Sequence, residues 1–176
     1  MSIWQHPVHG PIVILVDVDD MAVAAKALAG VSVAKEVVLS TYEGRDLGAS
    51  NTFLGMRIYR DRAASTLTLS CPGVTAALLE QLGMGTARPN KLPMAANTTL
   101  KRTGEHLLVE STQDSELAGS LRYLATATRH DIAYAAGVLE RYMSNPEELH
   151  WTAATGVLRY RSTTAKHELL YGPAEE

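Results

Sequence analysis

An apolar run that ends in acid constrains this chain more than any other feature. Ile12-Val13-Ile14-Leu15-Val16 is continuous, and Asp17, Asp19 and Asp20 follow before Met21-Ala22-Val23-Ala24 turns apolar again. A short run rich in β-branched residues reads as a buried strand. Strand, acids, strand is most simply a β-hairpin with carboxylates at its tip. Side chains alternate along a strand, so Asp17 and Asp19 are expected on one face. Carboxylates that close repel one another and favour a bound cation. Hard oxygen ligands suit Mg²⁺, which takes one or two carboxylates plus substrate phosphates, and the matching chemistry is two-metal phosphoryl transfer. Aspartate is also common in solvated turns, and Asp-x-Asp serves metal-dependent sugar-nucleotide transferases as well. The acids alone leave all three readings open.

The remaining pattern is α+β, with hairpins first and helices last. Lys26 to Leu39 reads as a helix weakened by Gly30. Phe53 to Tyr59 and Thr66 to Leu69 read as a second hairpin across the turn Asp61-Arg62-Ala63-Ala64, and Val74 to Leu82 as a helix stopped by Gly83. Periodicity is poor from Gly85 to Gln113. Asp114 then opens a helix through Thr126. Thr128 and Asp131 have capping-box spacing for a helix to about Met143. Asn145-Pro146-Glu147-Glu148 has the form of a cap, a first-position proline and first-turn acids for a helix to about Arg161, and His167 to Tyr171 reads as a last strand. The expected domains are residues 1–84 with the acidic hairpin, a loop or linker at 85–113, and a helical segment at 114–176.

Hydrophobic residues make up 46% of the 176, enough to bury a core. A net charge of -3 and a pI near 6.1 speak against nucleic-acid binding by bulk charge. The single cysteine, Cys71, excludes an internal disulfide framework and a cysteine-based zinc cluster, and fits an intracellular protein. Pro11 to Val16 is too short to span a bilayer, and Met1-Ser2-Ile3-Trp4 lacks the basic-then-apolar order of a signal peptide. His6 and His9 are taken as surface residues. No Gly-x-Ser-x-Gly setting supports serine hydrolysis. Lys101, Arg102, Arg122, Arg129, Arg141, Arg159 and Arg161 are read as solvated helix faces with the option of phosphate contact. Tyr123, Tyr134, Tyr142, Trp151 and Tyr160 are read as core.

A series of segments then bears on the acids. Asp19-Asp20-Met21 after an apolar strand, Asp46-Leu47-Gly48, Phe53-Leu54-Gly55-Met56-Arg57-Ile58, Leu78 to Met84, Gly119 to Ala125, Thr128 to Ala135, Met143-Ser144-Asn145-Pro146 and His150-Trp151-Thr152-Ala153-Ala154 occur in that order. Together they resemble the C-terminal part of copia-type retrotransposon reverse transcriptases. The resemblance implies an incomplete polymerase fold, palm hairpins followed by a helical thumb-like bundle. It implies catalytic, Mg²⁺-binding carboxylates at Asp19 and Asp20, and primer contact by Phe53, Leu54 and Gly55. It also implies an RNA or DNA template-primer as partner, with an upstream polymerase part and a downstream RNase H domain. The family's tyrosine position is Asp17 here, His130 replaces a proline, and Cys71 and Val74 replace the usual glutamine and tyrosine. The palm strand with a further aspartate is expected upstream, so the chain is expected to be inactive alone. A non-catalytic nucleic-acid or protein interaction module is the alternative from another class.

Overall fold

The apolar run becomes the middle strand of an antiparallel sheet. The structure, a computed structural model, describes residues 1–96, 98–104 and 111–173, without the side chains of 111–114. The chain divides into two compact units, Met1–Leu54 and Gly55–Glu176.

In the first unit, β1 (Ser2–His6), β2 (Gly10–Asp17) and β3 (Asp20–Ala25) form a sheet in the order β1-β2-β3. The register sets Trp4 beside Ile12 and Ile12 beside Ala25. The strand β1 was not expected from the sequence. Its turn is built by His6, whose Nδ1 accepts the backbone N–H groups of Val8 and His9 at 3.2 Å each. The His6 ring stacks on His9 at 4.7 Å and meets Trp4 edge-on at 5.0 Å. The two histidines therefore organise a turn. Helix α1 (Leu28–Thr41) lies on the sheet face that carries Ile12. Gly30 is buried there, and a Cβ on it would stand 3.1 Å from the Ala25 Cβ and 3.3 Å from the His9 Cβ. Its cost to helix propensity is thus offset by the close approach it permits. A two-residue strand, β4 (Thr52–Phe53), ends the unit.

The second unit begins with a hairpin, β5 (Met56–Asp61) and β6 (Thr66–Ser70), and β7 (Leu169–Tyr171) adds to the far side of β6 from the end of the chain. Helix α2 (Pro72–Gln81) follows. It stops where the sequence indicates, at Gly83 with φ of 61°. The Gly83 N–H donates to the Glu80 carbonyl and the Met84 N–H to the Leu79 carbonyl, a Schellman closure. Then come α3 (Ser111–Ala127), a 3-10 turn (His130–Ile132), α4 (Ala133–Glu140) and α5 (Glu148–Thr163). Leu117, Leu121 and Leu124 on α3 and Ala154, Val157 and Leu158 on α5 recur at helical spacing. With Leu78, Ile132 and Leu139 they form the core of this unit.

The division after Leu54 differs from the expected boundary within 85–113. The second hairpin and α2 belong with the helices, because Cys71 and Leu78 join their core and Met56 packs against it. The segment after Gly85 is not a free linker in its described part. Asn90 donates to the Gly156 carbonyl at 2.9 Å, and the Thr163 hydroxyl donates to the Asn90 carbonyl at 3.1 Å, so the chain is laid along α5. Residues 97 and 105–110 of the expected loop, and the side chain of the expected cap Asp114, lie outside the described residues.

Two expected caps are replaced. Asp131 does not close a capping box with Thr128. It accepts two bonds from the guanidinium of Arg129, at 2.8 and 2.6 Å, and one from the Tyr160 hydroxyl at 2.8 Å. A bidentate, charge-assisted pair outcompetes a neutral cap. On α5 the cap is Glu147 rather than Asn145, and Pro146 stands before it. The Glu147 carboxylate, buried at 3% exposure, accepts the N–H of Thr103 at 2.9 Å, the Thr103 hydroxyl at 2.8 Å and the Gly104 N–H at 2.9 Å. It also caps the backbone of its own helix, while His150 Nδ1 accepts the Glu147 N–H at 2.9 Å. These donors, the Gly104 N–H foremost, hold the Glu147 carboxyl below its ordinary value. Burial keeps the His150 imidazole below its usual value and therefore neutral, as an acceptor must be.

Two arginines expected on solvated faces are buried, Arg129 at 3% and Arg161 at 2% exposure. Arg161 occupies the apolar stripe of α5. It donates to the Thr75 hydroxyl on α2 at 2.6 Å and to the Thr164 carbonyl at 3.3 Å, and its Nε has no partner among the described residues. Conversely Tyr134, expected in the core, is 69% exposed.

Two consequences are measurable. Replacing Thr75 by Val removes the best acceptor of a buried cation and lowers the unfolding free energy by about 2 kcal/mol, whereas Thr75→Ser stays within about 0.5 kcal/mol of the native chain. Denaturant unfolding of the whole chain reads both, and equal midpoints for Thr75→Val and the native chain would refute the role given to Thr75. The second consequence concerns acid. A carboxyl held below its ordinary value contributes stability that is complete above that value, 4.5, and is lost as pH falls through the folded value. Glu147→Gln is expected to flatten the fall in stability below pH 4.5 measured by unfolding at a series of pH values; an unchanged slope would contradict it.

Candidate functional site

The acidic hairpin closes in the tightest way available to antiparallel strands. Asp17, the last residue of β2, pairs directly with Asp20, the first of β3, and Val18 and Asp19 alone make the turn. Such two-residue turns require positive φ, which favours Gly, Asn or Asp. Here Val18 takes φ of 47° with its side chain 88% exposed, a conformation in which a β-branched residue is strained.

This geometry corrects the expected pairing of the acids. Asp19 is in the turn, so it does not share a strand face with Asp17. The two carboxylates set side by side are Asp17 and Asp20, which face each other across the ladder. Like charges at such a position oppose pairing. All three are exposed, and no salt bridge reaches them among the described residues. Their chemistry suits a hard divalent cation, but their placement does not gather a ligand set. Among the described residues no group of three or more His, Cys, Asp or Glu side chains is placed to hold a metal ion.

Phe53, Leu54 and Gly55 do not form one strand with the residues after them. Leu54 with φ of 51° and Gly55 with φ of 73° turn the chain between β4 and β5. Gly55 is needed on two grounds. Its φ is left-handed, and a Cβ there would meet the Tyr123 hydroxyl at 3.2 Å. That hydroxyl lies 3.8 Å from the Cys71 sulfur, and burial, then Cys71, pushes the Tyr123 phenol up to about 12. Gly55 thus lies close against α3, and Leu54 is exposed.

Sequence reasoning missed two concave features of the second unit. One, of about 440 Å³, is lined by Thr128, Arg129, His130, Asp131, Tyr160 and His167 among others. Its polar groups are largely spent on one another through the Arg129–Asp131–Tyr160 chain. The other, of about 600 Å³, lies between the β5–β6 turn and the end of β7. Only the pairing of β6 with β7, about a hundred residues later in the chain, creates it, and no local pattern announces such a pairing. Among the described residues no helix is long and apolar enough to cross a membrane.

Comparison with known proteins gives a consistent answer. The chain is 33% identical over 153 residues to the retrovirus-related Pol polyprotein from transposon TNT 1-94 of Nicotiana tabacum, covering 84% of this chain and 12% of that protein. It is 31% identical over 149 residues to the putative transposon Ty5-1 protein of Saccharomyces cerevisiae, covering 85% of this chain and 48% of that one. It is 33% identical over 147 residues to the retrovirus-related Pol polyprotein from transposon RE2 of Arabidopsis thaliana, covering 84% and 10% respectively. The chain spans less than half the length of each of these relatives. No protein-family model and no solved structure matches it. By these relatives, the chain belongs to the copia-type retrotransposon Pol proteins.

Proposed function

We propose that this chain is a segment of a retrotransposon reverse transcriptase, spanning the end of the palm and a thumb-like helical bundle. The observation that carries the reading is the placement of Asp19 and Asp20. They stand exposed at the closure of a tight antiparallel hairpin, in a chain similar to transposon Pol polyproteins. In this reading Asp19 and Asp20 supply part of a Mg²⁺-binding set in the whole polymerase, and the turn Phe53-Leu54-Gly55 contacts the primer of an RNA or DNA template-primer. In this reading the further catalytic aspartate lies on a palm strand upstream, and the segment is expected not to extend a primer by itself; among the described residues no converging set of ligands is placed. The transferase reading loses its geometric basis, because Asp17 and Asp19 do not share a face.

Asp17 is a specific handicap in this function. A third carboxylate, set directly opposite Asp20, would repel the phosphates of an incoming nucleotide. A chimera tests the reading: this segment replaces its counterpart in the tobacco relative, and primer extension is followed in Mg²⁺. Weak extension is expected. Asp17→Tyr should raise it about tenfold, and Asp19→Asn should abolish it, a loss of a thousandfold or more, on the order of 4 kcal/mol of barrier. Extension that survives Asp19→Asn would sink the assignment, as would robust extension by the isolated chain.

A further inference from the structure

The sheet of the first unit ends in a strand whose outer edge is open. Every residue of that unit is described, and in the order β1-β2-β3 the strand β3 has β2 on one side only. A two-residue turn closes on a pair that exchanges both of its backbone hydrogen bonds, and bonded and unbonded pairs then alternate along the ladder. Asp17 and Asp20 are that closing pair. The N–H and C=O groups of Asp20, Ala22 and Ala24 therefore point to β2, and those of Met21, Val23 and Ala25 point out of the sheet. No hydrogen bond among the described residues takes up these outward groups.

Open edges invite pairing with another chain, and proteins commonly guard them with charge, proline or a bulge. Met21-Ala22-Val23-Ala24-Ala25 carries none of these, and its register with β2 is unbroken. Charges stand only at its two ends, Asp20 before and Lys26 after. Both are exposed, and neither is in a salt bridge among the described residues.

We propose that this chain forms a two-fold dimer by antiparallel pairing of β3 with β3 of a second copy. The strand's own sequence selects that occupant. Centred on Val23, the pairing sets Met21 opposite Ala25 and Ala22 opposite Ala24 of the second copy, so every outward N–H and C=O finds a partner. The same register sets Asp20 opposite Lys26 at both ends. Opposite residues point to the same face of a sheet, so Lys26 of one copy comes beside the Asp17–Asp20 pair of the other and offsets its repulsion. Sliding the copies by two residues leaves the outward groups of Met21 or Ala25 unpaired and sets Asp20 opposite Ala24 or Leu28. The other edge of the sheet offers no such match, because β1 carries no residue of fixed charge and its His6 is committed to its own turn. The two-fold axis stands perpendicular to the sheet, so α1 of both copies lies on one face of a continuous sheet of three strands from each. The interface is short, and a dissociation constant on the order of 10–100 µM is expected. The dimer does not rest on the polymerase reading.

Sedimentation velocity of the whole chain, from about 5 to about 500 µM, is the test. A shift from monomer to dimer across that range is expected. Asp20→Lys and Lys26→Asp each turn the opposite-charge contacts at both ends into like-charge ones, and each should weaken association about tenfold. Mixed in equal amounts, the two variants should associate as tightly as the native chain, since each supplies the charge that the other lacks. Met21→Pro removes an outward N–H that β2 does not use, a place where an edge strand accepts proline, and should leave the chain monomeric throughout. An unaltered circular-dichroism melt confirms that each variant folds, and the mixing result decides the matter should the proline variant not fold. A native chain that stays monomeric over the whole range, a dimer that neither charge variant weakens, or charge variants that fail to associate when mixed would each overturn the proposal.

Discussion

The acidic end of the first unit depends on a turn of two residues. Because Val18 and Asp19 alone connect β2 to β3, the register Asp17 to Asp20 follows, and with it the face on which every residue of both strands lies. A slip of one position would carry Ile12 off the face that α1 covers and place the opposite series, half-buried Val13 and exposed Leu15, beneath the helix. The buried contact of Gly30 and Ile12 therefore holds the same register that sets two carboxylates against each other at the tip. Burial at one end of the hairpin offsets repulsion and a strained valine at the other.

The second unit is organised around polar groups that its apolar stripes leave inside. Helix α5 starts from a buried carboxylate and nears its end at a buried guanidinium. Glu147 fastens the chain at Thr103 and Gly104 to the start of the helix, and Arg161 fastens α2 to its end. Arg129 and Arg161 both donate to the Thr164 carbonyl, while among the described residues Asp131 is the one carboxylate paired with either. Buried charges of this kind contribute less to net stability than to keeping a single arrangement, since each alternative packing would strand one of them.

Periodicity and stop signals made much of the local structure legible. The Ile12–Val16 strand, the hairpin around Asp61 and the stop at Gly83 all lie where apolar runs and glycine place them. Other features rest on interactions that no local pattern encodes. Strand β1 depends on a histidine acting as the acceptor of its turn. The cap of α5 moved from Asn145 to Glu147 because Glu147 also meets donors more than forty residues away in the chain. Arg161 read as surface because charge is the usual mark of a solvated face, and its burial requires Thr75 on another helix. At the candidate site, the hairpin that carries Asp19 and Asp20 was legible, but the geometry of its acids was not. Alternation along a strand holds only up to the turn, and Asp19 lies within it.

The central proposal is that the hairpin supplies part of a metal site and not a whole one. Titration of the isolated chain with Mn²⁺, followed by the paramagnetic broadening of its amide resonances, tests it most directly. Binding only at millimolar metal, with broadening confined to the neighbourhood of Asp17 to Asp20, is the result the account predicts, because exposed carboxylates without converging partners hold a hard cation weakly. Micromolar binding that Asp19→Asn abolishes would contradict it and would make this hairpin a complete metal centre.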